Sequence, residues 1–182
     1  MARKHRPPPA EPAAPAPAML EGREFVELWL KLAQDDWTSM LLVPADPSGS
    51  TAALARALAE TGQRLSFCQV TAITLSALEF GSALALADLA QHAERERRRA
   101  TPADAAVDGA PQATTEAMVV APPARLIISI PSVIAEPLGL PAAHQADGVV
   151  VAVRVDHTLT AHVKRTIELI GRERVRGCVL VR

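Results

Sequence analysis

The chain contains no tyrosine, and its aromatic residues are three phenylalanines and two tryptophans, 3% of the total. A core made from this composition rests on Ile, Leu, Val and Ala, and base stacking on an aromatic surface has almost nothing to work with. Cysteine is equally sparse, with Cys68 and Cys178 alone. Two cysteines form no disulfide framework, and neither has a neighbour at metal-ligand spacing. Both are expected as buried thiols within apolar strands, in keeping with a reducing cytoplasm. Only Lys4, Lys31 and Lys164 supply lysine, a scarcity that matters below. Long apolar runs are missing too. The longest charge-free stretch, Leu65–Leu78, is interrupted by Ser, Gln and Thr, and falls short of the roughly 20 residues a membrane-spanning helix needs. Arg3, Lys4, His5 and Arg6 open the chain, but Pro7–Pro9 and Pro12 follow where a secretion signal would have an apolar segment. The formal net charge of −1 provides no whole-molecule field toward nucleic acid or acidic lipid.

What is present reads as one domain of ordinary size behind a leading arm. Met1–Ala18 is Pro- and Ala-rich without hydrophobic period and is expected to be disordered. Over Leu20–Gln34, Phe25, Leu28, Trp29 and Leu32 recur at helical spacing, and Val26, Leu30 and Ala33 widen the stripe. So broad an apolar face either docks on the domain or meets a partner. Met40–Val43 reads as a buried strand, followed by a turn-rich loop from Ala45 to Thr51. A helix then carries Leu54 and Leu58 and stops at Gly62, and Leu65–Thr71 reads as a second strand. Leu75 to Ala93 has the period of a long helix ending in the charged run Glu94–Arg99. Ala100–Ala117 reads as a long loop, Leu126–Ile130 as a third strand, 137–146 as a short helix and Gly148–Val153 as a fourth strand. Leu159, Val163, Ile167 and Ile170 line a further helix ended by Gly171, and Gly177–Val181 is the last strand. Strands alternating with helices predict an α/β fold: a mostly parallel sheet covered by helices on both faces, in three layers.

The order of these segments carries a resemblance. Trp37 to Pro44, the Gly/Ser/Thr loop and Ala52–Gly62 look like the opening of a P-loop domain. Leu126 to Pro131 resembles the apolar strand that ends in Asp-x-Pro, Ala146 to Arg154 the next strand, and Ile167 to Leu180 the closing helix and strand. Over roughly residues 24–71 and 125–182 the chain resembles the cytoplasmic tyrosine-kinase domain of bacterial polysaccharide export, a relative of the partition-type P-loop ATPases. The resemblance implies a nucleotide-binding fold and a place in exopolysaccharide or capsule biosynthesis.

The charges that phosphate-loop chemistry requires are nevertheless missing. Such a loop cradles phosphates with backbone N–H groups, contacts them with a lysine and holds Mg²⁺ through a Ser/Thr hydroxyl and a strand-end carboxylate. Here the degenerate loop is Asp46, Pro47, Ser48, Gly49, Ser50 and Thr51. Ser50 stands where the lysine belongs, and no register supplies one. Ser129 stands at the strand-end acid position, and the second strand ends without an acid. The tyrosine cluster that the family phosphorylates is absent, and Glu24, Glu27 and Leu30 depart from its subunit-contact pattern. A residual anion site at Ser48–Thr51 would be opposed by Asp46. Among the histidines, His157 and His162 lie on different helix faces, and no metal or nucleophile constellation stands out.

The expectation is thus a catalytically inactive accessory or regulatory protein with no cofactor. Its partner would be a protein, such as a membrane chain-length regulator or export component, met through Phe25, Leu28, Trp29 and Leu32. It would be cytoplasmic, at the inner membrane only through that partner. Two alternatives are a divergent ATPase or kinase that completes its site with a partner subunit, and a partition-like positioning protein contacting DNA through Arg95–Arg99.

Overall fold

A computed structural model describes residues 22–66, 68–76 and 124–182, together with Ala85, Asp88, Leu89, His92 and Arg95. The expected arm 1–18, the loop 100–117 and most of the helix 75–93 lie outside the described residues. The five isolated residues are helical.

The run Ser-Met-Leu-Leu-Val-Pro has no polar face, and its strand, β1 (Ser39–Pro44), is buried at every position. Such a strand is stable only with a layer on each side. It lies at the centre of a five-stranded, all-parallel sheet ordered β2 (Gln69–Thr74), β3 (Ala124–Ser129), β1, β4 (Gly148–Arg154), β5 (Val175–Val181). β1 registers Met40 with Ile127 of β3 and with Gly148 of β4. The strand period then divides the core in two. Met40 and Leu42 join one cluster with α1 (Gly22–Leu32) and α2 (Ala52–Leu65). Leu41 and Val43 join the other with α3 (Leu140–Gln145) and α4 (Thr160–Ile170). The result is the expected three-layer α/β arrangement. Going from β1 to β2 and from β4 to β5 the chain moves in opposite directions across the sheet. Right-handed crossovers therefore put α2 and α4 on opposite faces. Among the described residues no helix is long and apolar enough to cross a membrane.

Boundaries shift where packing overrides local signals. Gly62 does not stop α2, which continues to Leu65. A Cβ at Gly62 would lie 2.5 Å from the Trp29 ring, so the glycine admits a buried indole against the helix backbone. The second strand consequently starts at Gln69 instead of Leu65. Leu159 precedes α4 in extended conformation and is 61% exposed, whereas Thr166 and Ile170 make the buried face. Gly171 ends α4 as expected, at φ 93°. The cysteines also depart from expectation: Cys68 is half-buried and Cys178 exposed, because Cys178 lies on a strand at the sheet edge.

Helix α1 docks on its own domain. Phe25, Trp29 and Leu32 are buried in the α2 cluster and Leu28 packs against it. Trp29 meets Trp37 edge-on at 5.9 Å, and the Arg125 guanidinium lies 4.7 Å from the Trp37 ring centre. Trp29 Nε1 donates to Ser66 Oγ and Trp37 Nε1 to the Leu32 carbonyl, which satisfies both indoles. The face offered to a partner is thus occupied internally. Removing the helix would open the core.

Candidate functional site

In parallel sheets ligands collect at the carboxyl ends of strands, where adjacent strands send their connections in opposite directions. Here that point lies between β1 and β4, since β1 leads away to β2 and β4 to β5. The loop Ala45–Thr51 leaves β1 at this place. Its first residue still belongs to the ladder, with Ala45 N–H donating to the Ala152 carbonyl at 2.9 Å.

The next residue turns the loop inward on itself. Asp46 Oδ1 accepts the Ser48 backbone N–H at 2.9 Å and the Ser48 hydroxyl at 3.0 Å. Asp46 Oδ2 accepts from Arg154 at the end of β4, at 2.7 Å. The Ser48 N–H bond first, then the Ser48 hydroxyl and the Arg154 charge, hold this carboxyl below its ordinary value of 3.8, against the opposing pull of burial. A turn closes as Gly49 N–H donates to the Asp46 carbonyl at 2.9 Å. A Cβ at Gly49 would lie 3.0 Å from Pro44 Cβ and 3.2 Å from that carbonyl, so the tight turn favours glycine. Ser50 Oγ lies 3.3 Å from the Ala52 N–H, a weak cap on α2.

Thr51 and Ser129 meet at the base of the loop. Their hydroxyls are 2.7 Å apart, on residues only 1% exposed, and Thr51 also donates to the Leu42 carbonyl at 3.0 Å. A hydroxyl has one proton to give. With Thr51's engaged by Leu42, Ser129 is the donor in the pair. Two residues 78 apart in the chain thus lock the loop to β3.

Above this lock is a cavity of about 210 Å³ between α1, α2 and the ends of β4 and β5. Phe25, Leu54 and Val181 form its apolar wall and Asp46, Ser50 and Arg154 its polar side. Its two charges oppose each other. Among the described residues lysine takes no part, since Lys31 lies on α1 outside the cavity lining and Lys164 on α4. The structure therefore brings Asp46, Ser48, Gly49, Ser50, Thr51 and Ser129 to one place, with Pro47 half-buried in the turn. Of the α1 residues only Phe25 reaches it.

Arg154 is the functional residue that sequence reasoning misses. Nothing local signals an ion pair to Asp46, 108 residues earlier; only its place at the end of an apolar strand does. Its side chain is 38% exposed, yet Nε is enclosed without a hydrogen-bond partner. The following turn is tight, with Arg154 N–H donating to Thr158 Oγ1 and Asp156 at φ 65°. His157 is exposed in it, and His144 Nε2 lies 3.3 Å from the Leu169 carbonyl. Among the described residues no group of three or more His, Cys, Asp or Glu is arranged to hold a metal. No family model, curated protein or solved structure matches the chain.

Proposed function

We propose that this chain is a catalytically inactive domain of the P-loop type, serving as an accessory or regulatory protein in exopolysaccharide or capsule biosynthesis or export. The observation that carries its inactivity is the Asp46 carboxylate, an anion of the chain's own bound to the loop's Ser48 N–H and to Arg154. An incoming phosphate would have to displace that carboxylate, and would then lie beside it with no lysine among the described residues to offset either charge. Electrostatic stabilisation of the transferring phosphoryl group supplies most of this catalysis, so its loss is decisive.

The P-loop part of the reading is supported by the Thr51–Ser129 pair. In the resemblance these are the positions of the Mg²⁺-binding hydroxyl and the strand-end aspartate, which such a site keeps adjacent. A neutral serine in place of the aspartate leaves a structural hydrogen bond. The pathway, the protein partner and a cytoplasmic location at the inner membrane are carried by the resemblance of segments described above. Fold likeness by itself assigns no function.

The test is calorimetry of the full chain with Mg-ATP, where no saturable heat is expected. Micromolar binding would overturn the reading in favour of a divergent ATPase.

A further inference from the structure

We infer that the cavity beside the loop binds a small uncharged molecule: an apolar body about the size of one aromatic ring, carrying an oxygen acceptor that meets Arg154. The inference uses only the cavity's walls and its ion pair, and stands apart from the P-loop reading.

Size and wall set the apolar part. The cavity's volume of about 210 Å³ exceeds the roughly 150 Å³ at which a pocket lined by Leu, Ile and Phe already takes up benzene. One ring with a short substituent therefore fits. Its walls include Phe25, Leu54 and Ala152, each at most 7% exposed, with Pro44 and Val181 beside them. Phe25 adds an aromatic surface for edge-on or offset contact with a ring. These walls are held in place before any ligand arrives. Trp29 anchors α1 over Gly62, the Thr51–Ser129 pair fixes the start of α2, and Ala152 sits in the β1–β4 ladder. A preformed pocket keeps the ordering cost of binding low.

The ion pair sets the charge of the ligand. Asp46 and Arg154 already hold each other at 2.7 Å. An anion in the cavity would meet the carboxylate and a cation the guanidinium, whereas an uncharged molecule leaves the pair intact. The bonds still unmade set its polar group. Asp46 Oδ1 accepts twice from Ser48 and Oδ2 once from Arg154, and Ser50 Oγ accepts weakly from the Ala52 N–H. The guanidinium can only donate. Among the described residues it makes a single hydrogen bond, and its Nε is enclosed without a partner. Donors are thus in surplus on the polar side, and an enclosed donor left unpaired is destabilising. A carbonyl or ether oxygen brought to the guanidinium offsets this; a further donor does not.

Acetophenone, a benzene ring bearing one carbonyl, is the probe. Titrated into the isotope-labelled full chain and followed by amide NMR shifts, it should saturate with a Kd of about 0.1–1 mM. The amides that move should include Gly49, Ala53 and Val181, which line the cavity. Benzoate and benzylammonium, its charged counterparts, should bind at least about tenfold more weakly. Ala53 is exposed in the first turn of α2, so Ala53→Phe should fill the cavity without disturbing the fold and abolish binding. Arg154→Met removes the donors and should weaken acetophenone by about fivefold. If that variant does not fold, the infrared carbonyl stretch of acetophenone bound to the unaltered protein reports the same contact, and should lie below its value in hexane. No saturable binding overturns the proposal, as does binding that persists in Ala53→Phe or shifts confined to another surface. Equal affinity for either charged counterpart, undiminished affinity in folded Arg154→Met, or a bound carbonyl stretch at its hexane value overturns it equally. The Mg-ATP titration bears on the loop, so the two readings fail separately.

Discussion

Replacing Asp46 by Asn isolates the charge that organises the candidate site. The amide keeps an acceptor oxygen for Ser48 but loses the ion pair to Arg154 and the charge assistance of all three bonds. Hydrogen bonds to charged groups contribute about 1.5–3 kcal/mol when well buried, and exposed ion pairs about 0–1 kcal/mol. With the Arg154 side chain 38% exposed, the pair belongs near the second range. The variant should therefore be less stable by about 1–2 kcal/mol near neutral pH. The pH dependence fixes the cause. Asp46 has a folded pKa below its unfolded value of 3.8. Its contribution is complete above that value and is lost as pH falls through the folded pKa, where both states are protonated. Urea unfolding of both proteins at several pH values, with unchanged m, measures the difference. It should be full near pH 7 and shrink steadily once pH drops below about 4. An equal difference in acid and at neutrality, or none at neutrality, refutes the reasoning.

Two further substitutions probe what fixes the loop and the helix layer. Gly62→Ala should lose about 1–3 kcal/mol to overpacking against Trp29, more than the roughly 1 kcal/mol of helix propensity it gains; chemical denaturation and a shift in tryptophan emission check this. Thr51→Val leaves the Leu42 carbonyl and the Ser129 hydroxyl without their partner and should cost about 2–4 kcal/mol. Ser129→Ala, which removes a single donor, should cost about 1 kcal/mol in the same assay. Equal costs for the two would show that the Thr51–Leu42 bond contributes nothing.

The alternating strands and helices were legible because each central strand is a continuous apolar run and each helix carries a 3.6-residue stripe. β1 and β4 show this most clearly: buried along almost their whole length, they carry polar side chains only at an end, Ser39 in one and Arg154 in the other. Edges were harder. Val179 and Leu180 look equally apolar in sequence, yet one is buried and the other exposed, since burial at a sheet edge depends on which layer covers it. The same ambiguity misplaced Cys178. Gly62 looked like a stop because a glycine at a helix end and one beneath an indole are the same letter; only the approach of Trp29, 33 positions away in sequence, separates them. The loop could be located from its turn residues, but its electrostatics could not. Asp46 reads as a repelling charge until Arg154 is placed beside it, and that neighbour is brought in by the β1–β4 pairing.

The coupling of these two residues also determines what building a phosphate site in this loop would take. Ser50→Lys alone adds one cation to a crevice where Asp46 can take it as a second partner. The new ammonium would then compete with Arg154 for the carboxylate instead of facing solvent and phosphate. Removing Asp46 alone frees Arg154 but supplies no cation in the loop itself. Ser129, already donating to Thr51, provides no carboxylate for a divalent ion. The three positions therefore have to change together. This interdependence is what a joint between β1, β3 and β4 would show, where the Asp46 carboxylate and the Thr51 and Ser129 hydroxyls have found partners within the protein and Arg154 Nε alone is enclosed without one. A cradle kept for a phosphate would instead leave donors open, and here the Ser48 N–H, the Thr51 proton and one Arg154 nitrogen are already engaged.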